Sequence, residues 1–185
     1  TLRGGLDTQG QLVALDYTAR AADYYHLGYN EPDTVLIAQL LGIRRAVPAS
    51  GRASVPSNMY VIENSRTTRQ VVSMPLVHET PLRTGNLRDP DGPQVTFASE
   101  SFIDELAATA ETDPVDFRLR LLTASTDDDS GFKRARSIAT VRAAAEAFGW
   151  DTRPSPKLVG TENILTGRGI AYTYRNQTVV AQIAE

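Results

Sequence analysis

The sequence predicts an α+β domain: a mostly antiparallel sheet with about three helices packed on one face. Three observations carry this. Residues near both ends alternate between apolar and polar with period two, and the stretch 94–149 repeats its apolar residues every three to four positions. The chain has 185 residues, 41% hydrophobic and 22% charged, enough for one sizeable core or two small ones.

The elements follow in order. In "LDTQGQLVALDYTARA" a turn around Gly10 precedes Val13, Leu15, Tyr17 and Ala19 at period two, which predicts a hairpin over 1–21 with a half-buried second strand. The segment 22–93 reads as irregular or β. In it Tyr24, Tyr25 and Tyr29 cluster, "TVLIAQLLGI" suits a short helix or a buried strand, and Pro32, Pro48 and Pro56 interrupt the pattern. "NMYVIENS" and "RQVVSMPLVHETPL" read as two strands, the second bent or ended near Pro75 because proline cannot donate to a ladder.

The helical part spans 94–149. Phe102, Leu106 and Ala110, with Ile103 and Ala107, recur at helical spacing, and Glu100, Asp104, Glu105 and Glu111 are expected to mark the solvated face. In "TDPVDFRLRLL" Asp113 can cap free amides, Pro114 suits the first helical position and Asp116 favours the positive helix end. Asp127, Asp128 and Asp129 read as a solvated loop without EF-hand spacing. Ile138, Val141, Ala145 and Phe148 predict a third helix, with Arg142 and Glu146 one turn apart and a terminus at Gly149 and Trp150. The remainder, 150–185, is a proline-rich linker and a hairpin in which Ile170, Tyr172 and Tyr174, then Val179, Ala181 and Ile183, alternate around Asn176 and Gln177.

Composition excludes several functions. A net charge of -3 leaves no electrostatic footprint for nucleic acid or an anionic membrane. With no cysteine, thiolate nucleophiles, iron–sulfur ligation and disulfides are absent, and the two histidines, His26 and His78, stand apart. No apolar run reaches the ~20 residues of a membrane helix, the first residues lack the features of a signal peptide, and no membrane insertion is expected. The compartment, cytoplasmic or periplasmic, stays open. The chain starts without methionine and stops inside the strand-like "VVAQIAE", so a piece of a longer protein is expected. There is no G-x-S-x-G elbow, and the glycines of "GRGIAY" do not open a helix as a dinucleotide fingerprint would.

The loop from Arg83 to Gln94 is unusual in holding arginines on a stiff Pro/Gly backbone. Guanidinium forks and free amides held in place suit an anion or cofactor. A rigid strand-to-helix connection is an equally good reading of the same residues.

The run "LRTGNLRDPDGPQVTFASESFIDELAATAETDPVDFRLRLL" resembles the molybdopterin-binding large subunit of the xanthine dehydrogenase and aldehyde oxidase family, especially its isoquinoline 1-oxidoreductase-like branch. The carriers are an arginine before Pro93-Gln94, a helix of the form E-S-F-x-D-E-L-A, and D-P-V-x-F-R-L-R; "GRGIAYTYRNQTVVAQIAE" and "LDTQGQLVALD" are similar to flanking strands of the family. The resemblance implies that 1–185 is part of a molybdopterin-binding domain. By it, Arg88 matches the family's arginine near the molybdenum centre, in F-R-G-F-G-G-P-Q, with Gly92 and Gln94 as further cofactor-binding positions. Pro90 stands where xanthine-type enzymes hold a substrate-stacking aromatic, and Asp89 and Asp91 stand where they hold glycines. The implied activity is oxidation of an aldehyde or N-heterocycle with water-derived oxygen. The implied cofactor is a molybdopterin-type molybdenum cofactor in the complete protein, not bound by these residues alone. The implied partners are the remainder of the large subunit, an iron–sulfur small subunit and a small-molecule substrate. The family's catalytic glutamate lies in a downstream G-x-G-E-like motif and is not Glu185, so no catalytic residue and no metal ligand are assigned and the isolated chain is expected to be inactive. The rival reading is a non-catalytic α+β interaction or scaffold module that keeps the fold.

Overall fold

The computed structural model describes residues 1–22, 53–72, 92–152, 157–159, 164–175 and 178–185. Strands β1 (Leu2–Leu6) and β2 (Leu12–Ala22) form the expected antiparallel hairpin, with Leu2 opposite Tyr17 and a register shift between Gly5 and Leu6. The turn closes because the Asp7 carboxylate accepts hydrogen bonds from the amides of Gln9 and Gln11, both at 2.8 Å, and Gly10 adopts φ 72°.

The segment 53–63 lacks a ladder, so "NMYVIENS" is not a strand until its last two residues. Its polar backbone is satisfied elsewhere: the Val61 amide donates to Leu121 O at 3.0 Å, and Ser57 O accepts from the Tyr174 amide at 3.2 Å. Strand β3 (Asn64–Val72) then pairs with β2 in parallel, from Ala14 opposite Asn64 to Ala22 opposite Val72. It includes the first residues of "RQVVSMPLVHETPL"; the bend expected near Pro75, the irregular stretch with its tyrosines, His26 and His78 lie outside the described residues.

Among the described residues three helices follow, α1 (Gly92–Thr109), α2 (Pro114–Thr123) and α3 (Arg134–Phe148). Asp113 caps α2 by accepting from the amides of Val115 and Asp116 at 2.8 and 3.2 Å, and its second oxygen accepts from Trp150 Nε1 at 2.9 Å. At the end of α3, Gly149 is left-handed at φ 70°, its amide donates to Glu146 O, and the Trp150 amide donates to Ala145 O. The aspartate run is more than a wet loop. Asp128 accepts from the Arg134 amide at 2.9 Å and from Lys133 Nζ at 2.7 Å, fixing the start of α3, while Tyr174 Oη donates to Asp129. Among the described residues no cluster of three or more carboxylates or histidines could hold a metal ion.

Two further antiparallel pairs lie among the described residues: β4 (Lys157–Val159) with β5 (Ile164–Thr166), and β6 (Gly169–Arg175) with β7 (Thr178–Ala184). The class is α+β as expected, with the strands of the described residues in three small sheets and the β2–β3 pair parallel. One core gathers Met59, Val115, Leu122, Val141, Ile170 and Tyr172 between α2, α3 and the β6–β7 hairpin. A second gathers Leu12, Ile103, Leu106, Ala107, Phe117 and Leu121 where α1 and α2 meet the first hairpin, with Phe102 half-buried at its edge. Among the described residues no helix is long and apolar enough to cross a membrane.

Candidate functional site

Of the sequence-predicted site residues, Arg88 and Pro90 lie outside the described residues, together with Asp89 and Asp91. Gly92 is the first residue of α1 and Gln94, two positions on, is exposed at the same helix end. Gly92 lines a cleft of about 620 Å3 whose walls include Pro93, Thr96, Arg69 of β3, and Tyr174 and Arg175 of β6. The first amides of a helix have no intrahelical acceptor and sit at the positive end of its dipole. The first turn of α1 has no acidic side chain, and two arginines stand on the cleft. This end of the molecule therefore suits an anionic group.

A second polar constellation was missed by the expectation that Glu100 belongs to a wet helix face. Glu100 is 3% exposed and Arg118 is fully buried. Arg118 Nε donates to Glu100 Oε2 at 3.0 Å, Nη2 donates to the Glu100 carbonyl at 3.0 Å, and Nη1 donates to Asp104 Oδ1 at 2.5 Å and Pro114 O at 3.1 Å. Glu100 Oε2 also accepts from Tyr60 Oη and from the Tyr172 amide, each at 3.0 Å, so one carboxylate oxygen ties together α1, α2, β6 and the segment 53–63. Among the described residues Glu100 Oε1 has no hydrogen-bond partner. Burial pushes the Glu100 carboxyl above the usual range against the pull of Arg118. Burial and the adjacent carboxylate push the Tyr60 phenol up. Burial also works against the Arg118 charge, but Tyr60, Glu100 and Asp104 outweigh it and keep the guanidinium protonated. The signal was present in the sequence: Glu100 precedes Ile103 and Ala107 at helical spacing, and Arg118 stands between Val115 and Leu122 on the same stripe.

No family model matches the chain. Over 175 residues, 91% of the chain, it is 33% identical to a nicotinate dehydrogenase subunit of Pseudomonas putida. It is 37% identical over 99 residues, 51% of the chain, to the aldehyde oxidoreductase molybdenum-binding subunit PaoC of Escherichia coli, of which those residues cover 14%. Over 92 residues, half the chain, it is 36% identical to the beta subunit of the isoquinoline 1-oxidoreductase of Brevundimonas diminuta, covering 10% of that protein. The solved aldehyde oxidoreductase of Desulfovibrio desulfuricans superposes with a TM-score of 0.43 and 20% identity over 93% of this chain and 17% of that one. The class that these sequences define is a subunit of an oxidoreductase. Within it, the chain belongs to the xanthine dehydrogenase and aldehyde oxidase family, as part of a molybdopterin-binding subunit. It spans 13% of the length of the Pseudomonas relative.

Proposed function

We propose that the complete protein is a molybdenum hydroxylase subunit oxidising an aldehyde or an N-heterocycle with water-derived oxygen, and that these 185 residues form one wall of its cofactor site. The similarity to the Pseudomonas nicotinate dehydrogenase over 91% of the chain carries this reading. The start of α1, where Pro93 supplies no N–H and the amides are those of Gly92, Gln94 and Val95, together with Arg69 and Arg175 suits the negative charge of a pterin phosphate. Arg88, the Gly92 backbone and the Gln94 amide would hold the cofactor, and Pro90 would face the substrate. When bound, the molybdenum group supplies the two-electron oxidation.

The residues of this chain bind and orient; none of them is the base. Glu100 is unsuited to that task because Arg118 and Tyr60 occupy its Oε2 inside the protein. The base and the route for electrons, an iron–sulfur partner, belong to polypeptide outside these residues, so the isolated chain is inactive. The test is metal and pterin analysis of the complete large subunit purified with its partners, alongside Arg88→Ala. Stoichiometric molybdenum with turnover lowered roughly 10- to 100-fold by the variant, the loss of one charge-assisted hydrogen bond, supports the reading. A folded complex free of molybdenum and pterin replaces it with the scaffold module.

A further inference from the structure

The segment 53–63 runs without a ladder between two open spaces. Ala53, Ser54, Val55 and Ser57 form a wall of the cleft of about 620 Å3 that begins at Gly92. Val55, Pro56, Asn58 and Tyr60 line a separate cavity of about 180 Å3 that reaches Phe102 and Ile103 of α1. Val55 borders both spaces, so the backbone around it has room to back away from the cleft. Its position therefore depends on hydrogen bonds at particular carbonyls. Tyr17 Oη donates to Ser54 O at a long 3.4 Å, and Arg134 Nη1 donates to Met59 O at 2.5 Å. Between these points the Ser57 carbonyl accepts twice from β6, from the Tyr174 amide at 3.2 Å and from Thr173 Oγ1 at 3.0 Å. β6 is a firm anchor there. The Tyr172 amide donates to Glu100 Oε2 at 3.0 Å, the Tyr174 ring packs on Phe132 with centroids 4.3 Å apart, and Thr173 pairs with Val180 of β7. A valine would suit the strand as well as Thr173 does, so the hydroxyl is what the threonine adds.

We infer that Thr173 is a positioning residue for the cleft: its hydroxyl clasps the Ser57 carbonyl and holds 53–58 as a cleft wall, so that the space beside Gly92 keeps its shape. The clasp needs no contact between Thr173 and a bound group. A wall already fixed before binding spares the complex the cost of ordering it, and a wall free to withdraw into the cavity behind it does not. The effect is that of one neutral hydrogen bond at a partly wet site, roughly 2- to 10-fold in an equilibrium or a release rate. The inference rests on the reading above, in which this cleft takes the anionic end of a molybdenum-pterin group.

The experiment compares Thr173→Val, which keeps the shape and removes the hydroxyl, with Thr173→Ser, which keeps the hydroxyl, in the complete large subunit assembled with its partners. Two quantities are read: hydrogen exchange of the amides in 53–58 by mass spectrometry, and the rate at which molybdenum and pterin leave the protein. In Thr173→Val both should rise roughly 2- to 10-fold, with exchange in the β6–β7 hairpin unchanged, and Thr173→Ser should match the wild type in both. Exchange in 53–58 that is indifferent to Thr173→Val overturns the inference. So does a serine variant as fast as the valine variant, which would trace the effect to packing, and so does faster exchange spread over β6 and β7, which would make Thr173 part of the general framework. Faster exchange in 53–58 with unchanged release overturns it as well, because that segment would then not be a wall that retains the group. The two readings fail separately: a loaded wild type whose cofactor release ignores Thr173→Val sinks the clasp alone, whereas a wild-type complex free of molybdenum and pterin sinks the cofactor reading on which the clasp rests.

Discussion

At the scale of single residues, the Glu100–Arg118 pair is the most demanding feature. A buried pair contributes little net stability relative to an apolar isostere, yet removing one partner strands the other charge. Arg118→Met should cost about 3–5 kcal/mol, read from urea unfolding; a cost below about 1 kcal/mol would mean that Glu100 finds other donors or simply takes up a proton. The pH dependence has a definite sign. Because burial raises the folded-state pKa of Glu100, its contribution is fully present below the unfolded value of ~4.3 and is lost as pH rises through the folded pKa. The wild type should therefore lose stability relative to Glu100→Gln as pH climbs from about 4.3. Asp16 and Asp128 act in the opposite direction, since hydrogen bonds from Arg66 and Lys133 lower their pKa values, but both persist in the variant and cancel in the difference. A gap independent of pH across this range would contradict the assignment. Residue type alone places Glu100 on the wet face, but its position lies on an apolar stripe and its partner is 18 residues away on the next helix.

At the scale of elements, what was legible was what is local. Asp113, Pro114 and Gly149 announce helix boundaries because their effects act on neighbouring amides and on their own φ, and the structure places them as read. The segment 53–63 was misread as partly strand because alternation also arises when a chain without a ladder crosses helix ends, as Met59 does when its carbonyl accepts from Arg134 Nη1 at 2.5 Å. Asp113 serves two elements at once, capping α2 and accepting from Trp150 beyond α3. Asp113→Ala should cost about 1–2 kcal/mol, and because Trp150 is the sole tryptophan, its emission should shift in the folded variant. An unchanged spectrum would show that the indole hydrogen bond is not formed in solution. Gly149→Ala should cost about 1–2 kcal/mol from backbone strain alone, because a Cβ there meets nothing within 4 Å.

At the scale of the whole molecule, pairing between distant strands was the part that periodicity could not supply. The parallel ladder that sets Ala14 opposite Asn64 joins residues 50 positions apart, and no local pattern encodes such a register. The candidate cofactor site was legible only through resemblance, and Arg88, its central residue, lies outside the described residues. The same architecture dictates how the 185 residues behave alone. Among the described residues β3 stands at the edge of its sheet with all nine side chains exposed, Val71 and Val72 among them at 43% and 46%, and Leu165 is 63% exposed. An edge strand that ends in two exposed valines presents unpaired backbone groups for pairing with another chain. The isolated chain should thus self-associate with rising concentration in sedimentation equilibrium. Val71→Lys should return the mass toward the 20.1 kDa monomer while changing stability by no more than about 0.5 kcal/mol, as expected for an exposed site. A wild-type chain that stays monomeric throughout would show that this edge is already protected within the 185 residues, and a variant that still associates would move the sticky surface to another face, with Phe97 and Leu165 next to be charged in the same way.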